Sequence, residues 1–126
     1  MRIISGKHKG RKIPNAIKLP VRPTTDQAKE ALFNILENSF YFNNIAVLDL
    51  FSGTGNISYE FSSRGCKDII CIDENYRCIK FIKKNTFPLL LIFNIYRNIS
   101  SKNYTSLEYF MEHSAQIKPA MLMPLL

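Results

Sequence analysis

The spacing of apolar residues predicts two strand–helix pairs in the middle of the chain. Residues 45–51 and 66–72 are short, nearly continuous apolar runs, which is typical of parallel strands covered on both faces. In the segments that follow them, residues 56–64 and 74–84, apolar positions recur every three or four residues and predict helices. This alternation implies right-handed crossovers and a parallel sheet. The predicted fold class is therefore α/β, with a doubly wound, mainly parallel sheet.

A further amphipathic helix precedes the first of these strands. Thr24, with Gln27 three residues later, has the pattern of a capping box, so Thr24 is the predicted N-cap. Apolar residues at helical spacing form the predicted inward face of this helix, namely Ala28, Ala31, Leu32, Ile35 and Leu36.

The two ends of the chain are less regular. Residues 1–13 predict two short strands around a glycine-bounded turn, and such a hairpin should stand out from the main body because it can bury little by itself. Residues 94–100 fit a third strand, whereas residues 117–126, with two prolines, fit neither a helix nor a well-formed strand. We divide the chain into a hairpin with its linker, residues 1–23, and a main domain, residues 24–126.

The charge is distributed unevenly along the chain. Residues 1–25 hold seven of the 17 basic side chains and none of the 10 acidic ones, so the remaining chain carries ten of each. The whole formal charge of +7 therefore arises in the first fifth of the sequence. A basic segment of this kind suits a polyanion such as RNA or DNA. The alternative is a basic arm that is merely solvated.

Composition also excludes several classes of protein. The longest apolar run, residues 87–93, is far shorter than the roughly 20 residues of a membrane helix, and no secretory signal follows the N-terminus. Cys66, Cys71 and Cys78 form no CxxC pair, which indicates reduced thiols rather than disulfides or a metal site. We expect a cytoplasmic protein without a membrane segment or a metal.

The most informative stretch is VLDLFSGTGNIS, residues 47–58, in which a strand runs into a Gly-x-Gly turn and a helix. This is a general device for nucleotide cofactors, because glycines let the backbone approach the ligand. Ser58 stands where a dinucleotide fingerprint has its third glycine, and Asp49 would repel a pyrophosphate. Asp49 would instead attract the ammonium or sulfonium of S-adenosylmethionine, and Asp73 is placed to accept bonds from the ribose hydroxyls. A tight turn flanked by surface acids is the alternative, and nicotinamide binding is disfavoured.

Four segments occur in this order along the chain: MRIISGKHKGRKI, RPTTDQAKEALFNIL, VLDLFSGTGNIS and the RG–IDEN–IKKN stretch. In these segments the chain closely resembles the bacterial small-subunit ribosomal RNA guanine-N2 methyltransferases of the RsmD type. The resemblance covers residues 1 to about 85. It implies a Rossmann-like fold of the S-adenosylmethionine-dependent methyltransferases with a small N-terminal β-hairpin, of which this chain would hold the N-terminal half. It also implies an enzyme whose cofactor is S-adenosylmethionine and whose partner is ribosomal RNA of the small subunit.

The resemblance carries roles onto individual residues. Asp49, Ser52, Gly53 and Gly55 would line the methionine and adenosine end of the cofactor, and Asp73, where the family more usually has glutamate, would hold the ribose. A segment that begins with Arg22, Thr24 and Thr25 would close over the cofactor, with Glu30 and Phe33 further along its helix; a helix that is only capped and amphipathic is the alternative. The residues implied to contact ribosomal RNA are Lys7, His8, Lys9, Arg11 and Lys12, with His8 as a phosphate or surface contact.

One part of the family pattern is missing. In the family, the exocyclic amine of guanine is held by an Asp/Asn-Pro-Pro-Tyr motif after the fourth strand, whereas no two of the six prolines here are adjacent and none follows Asp or Asn. We expect the fourth to seventh strands to be absent, which would leave the first strand as a bare apolar edge, and we assign no catalytic residue. The alternative to an active enzyme is a catalytically inactive fragment that binds S-adenosylmethionine and RNA. Asn103 or Thr105 could face the adenine.

Overall fold

The computed structural model describes residues 1–14, 19–86, 94–97 and 120–123. Within these ranges the three helices are α1 (Asp26–Glu37), α2 (Asn56–Ser63) and α3 (Tyr76–Thr86), and a short 3-10 helix spans Phe42–Asn44. The four strands are β1 (Ala46–Asp49), β2 (Asp68–Ile72), β3 (Asn94–Tyr96) and β4 (Ala120–Met123). None of the helices in the described ranges is long and apolar enough to cross a membrane.

The strands form one parallel sheet in the order β3-β2-β1-β4. All four residues of β1 are buried, and so are the last four of β2, which explains their continuous apolar sequence. The helices α2 and α3 connect consecutive parallel strands. The α/β fold class with a parallel, Rossmann-like sheet is therefore confirmed.

The strand β4 corrects the expectation that the chain has no fourth strand. Residues 120–123 pair in parallel with β1 along its whole length, from Ala46 opposite Ala120 to Asp49 opposite Met123. The free edge of β1 is therefore covered. The two prolines that argued against a strand, Pro119 and Pro124, flank this segment rather than interrupt it.

Two details of α1 also differ from the prediction. The N-cap is Thr25 rather than Thr24, because the Thr25 side chain accepts the bond from the backbone N–H of Ala28, at 3.2 Å. Gln27 is therefore not in the position of a capping box. The inward stripe is rotated relative to the predicted face: Ile35 is 67% exposed, and Ala28 and Ala31 are exposed too. The residues that face inward are Lys29, Leu32, Phe33 and Leu36.

The N-terminal hairpin packs on the main body instead of standing out from it. Its two arms meet at an antiparallel bridge between Arg2 and Lys12. Ile3 and Ile13 are buried together with Tyr59 of α2. The apolar surface that the hairpin could not bury alone is thus covered by a helix that begins at the glycine turn.

Candidate functional site

The glycine turn joins β1 to α2 at the carboxyl end of the sheet. Gly53 and Gly55 both adopt left-handed backbone conformations, with φ of 53° and 80°. At Gly55 a side chain is disfavoured for two reasons, because the positive φ would be strained and a Cβ would lie in tight contact with Ile82, at 3.1 Å, and the Tyr59 ring, at 3.2 Å. The backbone N–H of Gly55 donates to the carbonyl of Ser52 at 2.7 Å, which closes the turn.

Asp73, directly after β2, ties this turn to the neighbouring strand. One of its carboxylate oxygens accepts from the N–H of Gly53 and the other from the N–H of Asn75, both at 2.8 Å. Ser52 adds backbone and side-chain bonds to the carbonyl of Ile72, at 3.0 and 3.2 Å. Each carboxylate oxygen has a further lone pair, so Asp73 can still accept bonds from hydroxyl groups of a ligand.

Asp49 is the buried acid of the site, with 7% of its surface exposed. It accepts a 2.7 Å bond from the Ser58 hydroxyl, which in turn accepts from the Cys71 thiol at 3.1 Å. Burial raises the pKa of Asp49 to about 6, and the nearby charge of Asp73 acts in the same direction. Among the described residues no salt bridge involves Asp49. Ser58, which the sequence marked only as a departure from the dinucleotide pattern, thus orients this acid.

These residues fit a ligand that carries both a positive charge and hydroxyl groups. A buried carboxylate whose pKa is raised gains most from a cation, because the cation replaces the hydration that burial removed. The second carboxylate, Asp73, lies beside the glycine turn and is bonded to the N–H of Gly53. Methionine-derived sulfonium cofactors combine these features, whereas a pyrophosphate would meet two negative charges.

The segment before α1 lies beside the same turn. Thr24 accepts a 2.8 Å bond through its carbonyl from the side-chain amide of Asn56, the first residue of α2. A Cβ on Gly53 would lie 3.7 Å from the Val21 side chain. Arg22 and Thr25 are exposed. The start of this segment therefore lies beside the glycine turn.

The two predicted positions further along α1, Glu30 and Phe33, differ in their surroundings. Glu30 is exposed. Phe33 is fully buried and packs edge-to-face against Phe42 and Phe61, with centroid distances of 5.8 and 4.7 Å. Phe33 is therefore a core residue. Asn103 and Thr105 lie outside the described residues.

A buried polar cluster that the sequence did not reveal connects α1, α2 and the hairpin. The Lys29 ammonium, fully buried, donates to the carbonyl of Arg2 at 2.5 Å and to the Asn56 side chain at 2.8 Å, and it lies 3.2 Å from Glu60. Glu60 also accepts from the backbone N–H groups of Ile4 and Ser5, each at 2.9 Å. The sequence carries no local signal of this cluster, because the predicted inward face of α1 did not include Lys29.

The hairpin carries the predicted RNA contacts. Lys7, Lys9, Arg11 and Lys12 are exposed, and His8 is half-buried. Partial burial lowers the pKa of His8, and the charges of Arg11 and Lys7 lower it further. In the described part of the chain, no group of three or more His, Cys, Asp or Glu side chains is placed to hold a metal ion.

The carboxyl end of β4 lies at the same edge of the parallel sheet as the end of β1. Met123 stands opposite Asp49 in the strand register. Residues 119–126, PAMLMPLL, contain no Asp, Asn or Tyr, so the polar part of the expected motif is missing from the sequence that surrounds this strand.

Known proteins with similar sequences and structures bear on this site. A family model described as "Conserved hypothetical protein 95" matches residues 1–118, well beyond the limit near residue 85 that the motifs suggested. The chain is 39% identical over 100 residues to a Bacillus subtilis protein provisionally named rRNA methyltransferase YlbH, over 78% of this chain and 53% of that protein. It is 38% identical over 84 residues to ribosomal RNA small subunit methyltransferase D of Buchnera aphidicola subsp. Baizongia pistaciae, over 67% of this chain and 42% of that protein.

A solved structure shows the same architecture. An Escherichia coli protein provisionally named methyltransferase yhhF is similar with a TM-score of 0.67 at 29% identity, over 78% of this chain and 52% of that one. The chain therefore spans about half the length, or less, of these relatives.

Proposed function

The chain belongs to the conserved hypothetical protein 95 family, the RsmD-type family that its motifs resemble, and from this premise we propose that it serves S-adenosylmethionine-dependent methylation of a guanine N2 in small-subunit ribosomal RNA. The two curated relatives described above are named as rRNA methyltransferases, which supports a methyl-transfer enzyme by family. The cofactor, the modified atom and a cytoplasmic location are parts of this proposal.

The observation that carries the proposal is the pair of carboxylates on either side of the glycine turn. Asp49 is buried with its pKa raised to about 6, and Asp73 binds the turn itself through Gly53. We assign Asp49, with Ser52, Gly53 and Gly55, to the methionine and adenosine end of S-adenosylmethionine, and Asp73 to its ribose. When bound, this cofactor supplies a methyl group on a positively charged sulfur.

Ribosomal RNA is the proposed partner of the hairpin. Its exposed cations, Lys7, Lys9, Arg11 and Lys12, are suited to phosphate groups, and His8 lies among them. The segment of Arg22, Thr24 and Thr25 is proposed to cover the cofactor, because it already lies beside the glycine turn.

A second candidate function is binding of the cofactor and RNA without turnover. The observation in its favour is the end of β4, where Met123 is paired with Asp49 and the residues at 124–126 are Pro-Leu-Leu rather than those of the expected motif. Transfer to an exocyclic amine needs acceptors that hold the amine in line with the methyl group. If the protein is an active methyltransferase, residues other than those at the end of β4 supply these acceptors.

Two measurements on the chain 1–126 separate these possibilities. Calorimetric titration with S-adenosylmethionine tests the donor site, and a lack of binding to a folded chain would contradict the proposal. Transfer of a tritiated methyl group to deproteinised ribosomal RNA, or to small subunits, tests turnover. If the chain binds S-adenosylmethionine and the RNA becomes labelled, the result supports the enzyme. If the chain binds S-adenosylmethionine and the RNA stays unlabelled, the result supports the second candidate.

A further inference from the structure

The helix α3 has a charge pattern that the donor site does not use. Its residues 76–86 include four basic side chains and no acidic one. Lys80, Lys83 and Lys84 are exposed, and no salt bridge found in the described part of the chain involves them. The helix dipole favours cations in the last turn, which accounts for Lys83 and Lys84, but Lys80 lies one turn earlier.

The position of Phe81 relates this helix to the hairpin. Phe81 packs against the cluster of Ile3, Ile13 and Tyr59, which joins the hairpin to α2. One flank of α3 is therefore turned toward the base of the hairpin. At about 100° per residue, Lys84 lies about 60° around the helix from Phe81, Lys80 about 100° and Lys83 about 160°.

The three lysines are thus not equivalent. Lys84 adjoins the flank that faces the hairpin, Lys80 is next to it on the solvent side, and Lys83 lies on the opposite flank. Because Phe81 packs on the cluster that includes Ile3 and Ile13, the Lys84 flank of α3 adjoins the element that carries the exposed hairpin cations, such as Lys9 and Lys12.

We propose that Lys80 and Lys84 form a second contact surface for RNA phosphates, which extends the surface of the basic hairpin onto α3. This inference rests on the proposed RNA binding by the hairpin and adds residues to it. RNA is the partner of this surface because its backbone presents phosphates in a row, and unpaired lysines on adjacent elements can each displace a counterion from it. The contact would be independent of sequence and would position the RNA rather than read its bases.

Neutral substitutions of neighbouring lysines give a matched test. Lys84→Gln and Lys80→Gln/Lys84→Gln should weaken binding of deproteinised small-subunit ribosomal RNA by about fivefold per lysine at about 0.1 M salt. The slope of log K against log salt should become shallower by about 0.7–0.9 per lysine lost. Lys83→Gln, one residue away, should change affinity by less than about twofold, because its side chain lies on the other flank.

Three controls decide the outcome. Equal losses of RNA affinity for Lys83→Gln and Lys84→Gln would contradict the proposed contact surface, since the effect would then come from the net charge of the helix. If the hairpin variant Lys9→Ala/Arg11→Ala/Lys12→Ala weakens binding and Lys84→Gln does not, the α3 surface is wrong and the proposed function stands. If the hairpin variant also binds normally, the proposed RNA binding itself has failed. Thermal unfolding should be the same for all these variants, because each change is at an exposed side chain.

Discussion

The ammonium of Lys29 lies 3.2 Å from a carboxylate oxygen of Glu60, and both side chains are completely buried. Lys29 belongs to α1 and Glu60 to α2, and their other bonds reach the carbonyl of Arg2 and the N–H groups of Ile4 and Ser5. Arg64 also donates to Glu60, at 2.9 Å. The pair therefore fixes the hairpin to the helix that begins at the glycine turn, and it holds the proposed RNA contacts at a set position relative to the donor site.

We expect Lys29→Met to destabilise the protein by about 3 kcal/mol, because it breaks a buried ion pair and leaves the Glu60 carboxylate with one of its two cationic partners, Arg64. Urea unfolding measures this loss. Lys80→Met is the matched control, since it makes the same substitution at an exposed site and should cost less than about 0.5 kcal/mol. In the double variant Lys29→Met/Glu60→Gln the loss should be smaller than the sum of the single losses. Additive losses would show that the two side chains do not interact.

This pair marks a limit of prediction from the sequence. The period of α1 was visible, but its apolar residues indicated a stripe through Ala31 and Ile35. The true stripe passes through Lys29 and Phe33, because Glu60, far along the chain, neutralises the lysine. A pairing of this kind depends on tertiary structure and has no local signature.

Gly6→Ala should be far more damaging than Gly10→Ala. Both glycines have a positive φ, 84° and 79°, so the backbone strain of the two substitutions is alike. At Gly6, however, an added Cβ would lie 2.0 Å from the carbonyl oxygen of Ser63, whereas at Gly10 no atom lies within 4 Å. The Gly6 variant can form only if the hairpin moves off α2, which breaks the bond from the N–H of Lys7 to Ser63.

Thermal unfolding and RNA affinity of both variants measure this difference. Gly10→Ala should lower the free energy of unfolding by about 1 kcal/mol, because of its strained backbone conformation alone, and should retain RNA affinity. Gly6→Ala should lose more stability and bind RNA more weakly. Equal behaviour of the two variants would contradict the close packing of the hairpin on α2.

The fourth strand shows a different limit. Residues 120–123 are apolar with prolines on both sides, and local rules read such a segment as a loop. The free edge of β1 decides its structure, because unpaired backbone groups beside a buried strand favour a partner. By contrast, β1, β2, α2 and the glycine turn were predictable, since their apolar periods and Gly53 and Gly55 are local features.

Asp73→Ala should abolish detectable S-adenosylmethionine binding. The substitution removes the proposed ribose acceptor and also the acceptor for the Gly53 N–H, so the turn loses its tie to β2. Calorimetric titration measures affinity, and the unfolding transition checks that the chain remains folded. Asp68→Ala, at an exposed acid that begins β2, is the control and should bind normally. Unchanged affinity in a folded Asp73→Ala protein would refute the ribose assignment.

The stability of the protein should fall as the pH rises from about 4 to about 6. Asp49 has a folded-state pKa of about 6, above its ordinary value of 3.8, because it is buried. In this window the folded state binds more protons than the unfolded state, so raising the pH favours unfolding, by up to about 3 kcal/mol. Asp49→Asn should remove this part of the pH dependence in urea titrations. A slope that is the same in both proteins would mean that Asp49 titrates normally.

The same acid predicts how cofactor binding depends on pH. A cation bound beside Asp49 favours the ionised carboxylate, so the ligand-bound pKa must lie below 6 and affinity must be lost as the pH falls through that value. We expect S-adenosylmethionine to bind with full affinity at pH 7 and up to about tenfold more weakly for each pH unit below 6.

The sulfoxide of S-adenosylhomocysteine, which has a similar shape and no charge on sulfur, should show a smaller change in affinity with pH if the sulfonium is the group near Asp49. Titrations of both ligands between pH 5 and pH 7.5 measure this difference. Equal pH dependence for the two would assign Asp49 to the amino group that they share, and no dependence for either would remove Asp49 from the cofactor site.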